Sequence, residues 1–279
     1  MISSADAGTG DAIGAPVFVG ARPRIAVEWQ GRGPLVVFLH GIGGNRTNWL
    51  AALPAFAHRY TALAWDTRGY GDSDDYDGPF RFADTVADLA RVLDRMETHA
   101  AHLVGLSLGG RIAAHFHARY PERVASLTLC DTHLGFGHYP EKVRKRFVES
   151  RRDPLRAGQT PAELAPAIAK TLIGDPDDAA TFTALVASLG AVRAESYIKA
   201  VEGSVEDDMT PLLEDVAVPA LVLTGERDRI TPPAMAREIA ARIPGSELAI
   251  IEGAGHLSNI ERPAAFNRAV LAFLDSVAG

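Results

Sequence analysis

The feature that most constrains this chain is a pentapeptide, Gly105-Leu106-Ser107-Leu108-Gly109, set directly after the apolar run 101–104 and directly before the helix-like stretch 110–120. A strand that passes into a helix through so tight a turn strains the serine backbone and brings its flanking positions nearly into contact. Small residues are then required two before and two after the serine, and Gly105 and Gly109 stand there. The turn lifts Ser107 out of a sheet and aims the unpaired N–H groups of the following helix at any charge that develops beside its hydroxyl. Because glycine and serine are common, the pentapeptide carries weight only if its context agrees.

A nucleophilic serine needs a base, and the base needs a carboxylate to fix its tautomer and stabilise its cation. The strand-like run 247–252 leads into Gly253-Ala254-Gly255-His256, and the buried run 219–224 leads into Gly225-Glu226-Arg227-Asp228. Ser107, Asp228 and His256 thus each follow the C-terminal end of an expected strand, in the order serine, acid, histidine. Asp131 is a rival acid, since it follows the strand 124–129 close to the nucleophile. Asp228 is preferred because its strand comes next in order to the one before His256. Earlier, the run 35–39 enters His40-Gly41-Ile42-Gly43-Gly44, whose glycines let the backbone turn N–H groups toward a ligand. The N–H groups of Ile42 and Leu108 form the expected oxyanion hole, and His40 is read as a structural residue of that loop.

Short buried runs alternate with helical stretches, which predicts an α/β protein with a mostly parallel sheet covered on both faces. Residues 48–57 read as helix, 61–65 as strand, and 82–95 as helix with Val86, Leu89, Val92 and Leu93 on one face. From 133 to 218 the alternation stops, and helices are expected over 141–151, 161–172, 176–189 and 193–205. Thr160 followed by Pro161 and Glu163 is a capping-box start, and Asp175-Pro176 reads as another helix start. The expected organisation is a flexible leader over 1–16, a core formed by 17–132 and 219–279 that closes with a helix over 263–277, and a helical lid over 133–218. Ligands of open α/β sheets bind outside the carboxyl ends of the strands, so such a lid roofs the pocket and selects the substrate.

The combination of HGIGG, DTRGYGDS, GLSLGG, GERD and GAGH in this order resembles an α/β-hydrolase over residues 24–274. Within that superfamily the segments Trp65 to Gly69, Leu127 to Thr132 and His256-Leu257-Ser258-Asn259-Ile260-Glu261 are similar to 3-oxoadipate enol-lactonases. The resemblance implies an α/β-hydrolase fold with a helical lid, a triad of Ser107, Asp228 and His256, and hydrolysis of an ester or lactone through an acyl-enzyme. Trp29, Trp49 and Trp65 all lie outside the expected lid, where the enol-lactonases usually carry a tryptophan. Carbon–carbon bond hydrolysis of a vinylogous diketo acid would use the same triad, but relatives with that activity typically have tryptophan after the catalytic histidine, and Leu257 stands here. A non-catalytic receptor on the same fold is the third reading.

The lid carries an unusual charge. Between 141 and 156 lie Lys142, Arg144, Lys145, Arg146, Arg151, Arg152 and Arg156 against Glu141, Glu149 and Asp153, inside a chain whose net charge is −7. A solvated helix face explains most such runs. The functional alternative is an arginine turned inward onto a substrate carboxylate, which enol-lactone substrates carry. The substrate-binding candidates are His133, Arg144, Arg146, Arg151 and Arg152.

Other features bound the function by exclusion. The acidic balance argues against a nucleic-acid partner, and no apolar run approaches the length of a membrane span. Arg46 breaks the dinucleotide fingerprint that Gly41 and Gly43 begin, no zinc-type His or Cys pattern occurs, and neither a metal nor another cofactor is expected. His115 and His117 point to different faces of their helix. A single cysteine, Cys130, reads as buried filler. Arg68 is expected to tie loops together. The first sixteen residues lack a basic start followed by an apolar core, so a cytoplasmic enzyme acting on a small molecule is expected, with its oligomeric state open.

Overall fold

The structure, a computed structural model, describes residues 12–277 except residue 138. Its strands are β1 (Ala12–Val19), β2 (Ile25–Gln30), β3 (Leu35–Leu39), β4 (Thr61–Trp65), β5 (Ala101–Leu106), β6 (Val124–Cys130), β7 (Ala220–Gly225) and β8 (Glu247–Ile251). The helices are α1 (Thr47–Leu50), α2 (Leu53–Phe56), α3 (Phe82–Arg95), α4 (Leu108–Arg119), α5 (Glu141–Arg156), α6 (Pro161–Leu172), α7 (Ala179–Gly190), α8 (Ala194–Ser204), α9 (Thr210–Leu213), α10 (Pro233–Arg242), α11 (Ser258–Glu261) and α12 (Pro263–Val277).

All eight strands form one sheet in the order β1-β2-β4-β3-β5-β6-β7-β8. Pairing is antiparallel for β1 with β2 and β2 with β4, and parallel from β4 to β8. Strands β3, β5 and β7 are buried along their whole length because successive side chains enter different cores. In β3, Val37 and Leu39 pack with Leu89, Ile112 and Phe116 on one face, while Val36 and Phe38 pack with Phe56, Phe266 and Val270 on the other. At about 25 cal/mol per Å² of apolar surface, burial on both faces is the main stabilising term, and it explains the continuous apolar runs in the sequence.

Several elements differ from their sequence reading. Residues 12–16, read as part of a flexible leader, belong to β1; Gly14 and Pro16 interrupt the strand pattern, and its register against β2 shifts between Ala12 and Val17. Residues 1–11 of that leader lie outside the described residues. The helix expected over 48–57 is two short pieces, because Pro54 has no N–H to give the carbonyl of Leu50. The helix expected from Pro176 starts at Ala179, where the Asp178 side chain accepts the N–H of Thr181 at 3.0 Å and caps it. The Thr160–Glu163 capping box forms, and α5 continues through Pro154 to Arg156.

Helices α5 to α9 are inserted between β6 and β7. The loops after β3, β5, β6, β7 and β8 emerge at the carboxyl end of the parallel strands, the side on which the insertion also begins. No helix among the described residues is long and apolar enough to cross a membrane.

Candidate active site

Ser107 stands between β5 and α4 with φ 55° and ψ −114°, a left-handed backbone that costs a non-glycine residue about 1–3 kcal/mol. Neighbouring bonds hold it there: its N–H donates to Cys130 O at 2.9 Å, and its carbonyl accepts the Thr132 hydroxyl at 2.7 Å and the Gly110 N–H at 3.1 Å. A Cβ on Gly105 would lie 2.3 Å from Gly109 O, and one on Gly109 would lie 2.2 Å from Leu39 O. The glycine spacing legible in the pentapeptide is therefore a steric requirement. Cys130 is fully buried behind it.

His256 comes to this point from the loop after β8, and its Nδ1 donates to Asp228 Oδ2 at 2.8 Å. Asp228 is in turn held by the Ile230 and Thr231 N–H groups on Oδ1 at 2.7 and 2.9 Å and by the Thr231 hydroxyl on Oδ2 at 2.6 Å. Burial alone would raise the pKa of this carboxyl, but His256 and the Thr231 bonds outweigh it and hold it below its ordinary value. Burial likewise disfavours the His256 cation, and Asp228, joined by Asp131 and Glu261, more than offsets that, so the imidazole pKa is raised. Thr231 was not evident from sequence, although the spacing Asp228 to Thr231 is that of a side-chain-capped turn.

The rival acid, Asp131, does not bond the imidazole. Its carboxylate accepts the Gly225 N–H at 2.8 Å and the Ser258 hydroxyl at 2.5 Å, tying the loop after β7 to α11. Burial, together with the like charge of Asp228, pushes its pKa up to about 7. Glu261, in the segment that carries the enol-lactonase resemblance, was also missed as a holder. It accepts the N–H groups of Gly255 at 3.0 Å and Gly174 at 2.7 Å, binding the histidine loop to the insertion.

The loop after β3 lies against the serine: a Cβ on Gly41 would stand 3.1 Å from Ser107 Cβ. Ile42 and Leu108 both line the cavity that Ser107 and His256 line, and Leu108 is the first residue of α4, whose leading N–H groups have no partner within the helix. His40 is buried and structural: Nδ1 donates to Gly41 O at 2.8 Å while Nε2 accepts the Thr67 N–H at 3.0 Å. Arg46, which sequence reading used only to reject a nucleotide site, anchors the loop. Its guanidinium meets Glu28 at 2.7 Å, Asp66 at 2.5 Å and Asp72 at 2.7 Å. Arg68 bonds Asp88 at 2.6 and 2.9 Å, so it fastens its loop to α3 and not, as expected from sequence, to another loop. A second serine–histidine contact, His102 with Ser126 at 2.8 Å, lies near the start of β5 and β6. At about 3.3 Å per strand residue it sits some 16 Å from Ser107, away from the cavity wall.

The cavity holds about 120 Å³, near the size of engineered apolar cavities that admit a benzene-sized molecule (about 150 Å³). Of the five substrate-binding candidates, the structure puts His133 and Arg151 on its wall and Arg144, Arg146 and Arg152 off it. Helical geometry separates them. Arg146 and Arg152 fall outside the inward stripe of α5 formed by Phe147, Val148 and Arg151; Arg152 pairs with Asp153 at 2.8 Å and Glu202 at 3.4 Å, and Arg146 is exposed. Arg144 shares the stripe but sits two turns, about 10 Å, away and pairs with Glu206. Arg151 packs over the Phe147 ring, 3.7 Å from its centroid, donates to Phe147 O at 3.1 Å and adjoins Tyr197. Among the described residues no carboxylate pairs with it. Arg111, also on the wall, is neutralised by Asp207 at 2.7 Å.

The family model described as alpha/beta hydrolase fold matches residues 34–263. The chain is 28% identical over 243 residues to 3-oxoadipate enol-lactonase 2 of Acinetobacter baylyi, covering 86% of this chain and 88% of that one. Its structure matches a thermophilic esterase from Thermogutta terrifontis, solved with malate bound, at a TM-score of 0.85 and 30% identity, covering 94% and 98% of the two chains. It matches the enol-lactonase from Burkholderia xenovorans LB400 at a TM-score of 0.82 and 26% identity, covering 93% and 100%.

Proposed function

We propose that this chain, which belongs to the alpha/beta hydrolase fold family, is a serine hydrolase that opens an ester or lactone bond of a small, carboxylate-bearing molecule. The observation that carries this reading is the strained Ser107 on the wall of a cavity it shares with His256, whose far nitrogen is fixed on Asp228 at 2.8 Å. With Nδ1 so engaged, Nε2 is the nitrogen free to take a proton. Ser107 Oγ attacks the substrate carbonyl carbon while His256 Nε2 receives the hydroxyl proton, and Asp228 stabilises the imidazolium. The oxyanion accepts the N–H groups of Ile42 and Leu108. His256 then gives its proton to the leaving oxygen as the carbon–oxygen bond breaks, and water, activated by the same imidazole, releases the acid from Ser107.

Arg151 supports the substrate class. A cation on the cavity wall whose partners are a carbonyl, a hydroxyl and Tyr197, and not a carboxylate, leaves its charge for a carboxylate brought by the ligand. The helical insertion is then a lid that selects the substrate while the sheet supplies the chemistry. The enol-lactonase relatives and the esterase solved with malate agree with this reading.

A panel of small esters, lactones and vinylogous diketo acids, assayed with identification of the products, tests it. Turnover of anionic esters or lactones to acid and alcohol, or to the ketone form of an enol, is expected. Turnover of diketo acids alone would replace the proposal with carbon–carbon cleavage, and binding without turnover would replace it with a receptor.

A further inference from the structure

The loop after β6 carries a second cavity-wall group that the triad does not use. His133 follows Asp131 and Thr132, and its Nδ1 accepts the Gly135 N–H at 3.0 Å. A ring nitrogen that accepts a backbone N–H carries no proton, so the neutral imidazole holds its hydrogen on Nε2. With Nδ1 turned back onto its own loop, the opposite edge of the ring, bearing Nε2, is the part left to the cavity that His133 lines.

The loop is rigidly fixed. Gly135 has φ +104°, and a Cβ there would lie 2.3 Å from Asp207 O, so the turn that presents its N–H to His133 is a glycine turn. Phe136 and Gly137 both donate their N–H groups to Asp207 O at 2.8 Å, and Met209 N donates to Leu134 O at 2.7 Å. The Phe136 ring meets the imidazole edge-on, with centroids 4.7 Å apart. The charged and titratable groups that act on the ring are Arg111 of α4, His256 and Asp207. Burial, with the Arg111 cation, takes the pKa of His133 down to about 3, so the ring stays neutral at any pH at which His256 could act as a base.

We propose that His133 is a specificity-determining residue, a neutral donor with its proton fixed on Nε2 by Gly135, which hydrogen-bonds an uncharged acceptor oxygen of the substrate such as a ketone or a second carbonyl. The proposal rests on the reading of this cavity as a hydrolase substrate site. It divides recognition in two: Arg151 meets a carboxylate, and His133 meets an uncharged oxygen that a plain alkyl ester lacks.

Two measurements test it. In the first, ¹⁵N NMR of the histidine-labelled Ser107→Ala protein, with the His133 signals assigned by their loss in His133→Gln, reads the tautomer directly. The expected result is an Nε2-protonated, neutral ring that does not titrate between pH 5 and 8, and whose Nε2–H signal moves on adding methyl 4-oxopentanoate but not methyl pentanoate. A proton on Nδ1, a ring that titrates near pH 6–7, or an imidazolium formed on ligand binding would overturn the proposal. The second compares kcat/KM for the p-nitrophenyl esters of 4-oxopentanoate and pentanoate. One neutral hydrogen bond predicts a wild-type preference for the keto ester of ~5-fold. That ratio should fall to near one in His133→Phe and recover in part in His133→Gln, whose amide can donate. Equal wild-type rates, or equal loss on both esters in His133→Phe, would overturn it. Absence of turnover on every ester would instead count against the hydrolase reading, and the NMR result would still decide the fixed donor.

Discussion

On the sheet side of the cavity the groups proposed to do chemistry are clamped by backbone. Asp228 accepts the N–H groups of Ile230 and Thr231, Glu261 those of Gly174 and Gly255, and Ser107 sits in a turn that the glycines at 105 and 109 make possible. On the insertion side Arg151 is held by a stacked ring, one carbonyl and the side chains of Ser150 and Tyr197, on a helix where Val148 is the buried residue among those described. The contrast follows from what each side must do. Bond making depends on near-attack placement, where a misplacement of about 1 Å can cost 10²-fold, and only backbone bonded into a doubly buried sheet supplies that. Attraction of an anion tolerates a long arm, because a guanidinium retains its charge and fork through small rotations. On the proposed function, the insertion is the half in which the substrate can be changed without loss of the chemistry.

The largest effect that can test this division is on the sheet side. Ser107→Ala should lower kcat by about 10⁶-fold with the fold unchanged by circular dichroism, as loss of the nucleophile does in comparable triads. A wild-type rate in that variant would remove the acyl-enzyme from the account. Asp228→Asn should cost about 10⁴-fold, since the imidazole loses its oriented tautomer. Asp131→Asn should cost less than ~10-fold, because Asp131 bonds Gly225 and Ser258 and not the imidazole. The reverse ranking would transfer the acid role to Asp131.

Acidity adds a second reading of the same pair. In the proposed mechanism His256 takes a proton only when neutral, and its pKa is raised by Asp228, with smaller contributions from Asp131 and Glu261, against the opposing effect of burial. kcat/KM should therefore fall as pH drops through that raised value, with the midpoint above 6.5, and Asp228→Asn should move the midpoint down. The sign for stability is the opposite one. A raised folded-state pKa stabilises the fold below the unfolded value and loses its contribution as pH rises through the folded one. An acid limb that stays in place in Asp228→Asn would mean that another group sets it.

On the insertion side the effect should be smaller and selective. Arg151→Ala should reduce kcat/KM for an anionic lactone or half-ester by about 10- to 100-fold, the value of a charge-assisted bond, and spare its neutral methyl ester. Arg152→Ala, off the cavity and already paired with Asp153, should change neither by more than ~2-fold. Equal losses on the anionic and neutral compounds in Arg151→Ala would show that the arginine packs the helix and does not recognise a carboxylate.

The same contrast explains what could be read in the sequence. The elbow, the acid and histidine loops and the glycine-rich loop were legible because each joins a largely apolar run to glycines in tight places; Gly105 and Gly109 are the clearest case. Holders such as Thr231 and Glu261 were not, since a threonine or glutamate in a polar loop carries no periodic signal until its partners are known. Within the insertion four of the five helices were legible from period and caps, and the short α9 was not, whereas the choice among Arg144, Arg146, Arg151 and Arg152 depended on which turn of α5 crosses the cavity. Strand β1 was hidden by Gly14 and Pro16.

The central claim is that Ser107 forms the covalent bond to the substrate's acyl group. Modification with a fluorophosphonate, followed by peptide mass spectrometry and a parallel ester assay, tests it most directly. One adduct on Ser107, formed in step with the loss of activity and absent from Ser107→Ala, is the predicted result. Full esterase activity in protein quantitatively modified at Ser107, or an adduct on another residue that accounts for the inhibition, would contradict it.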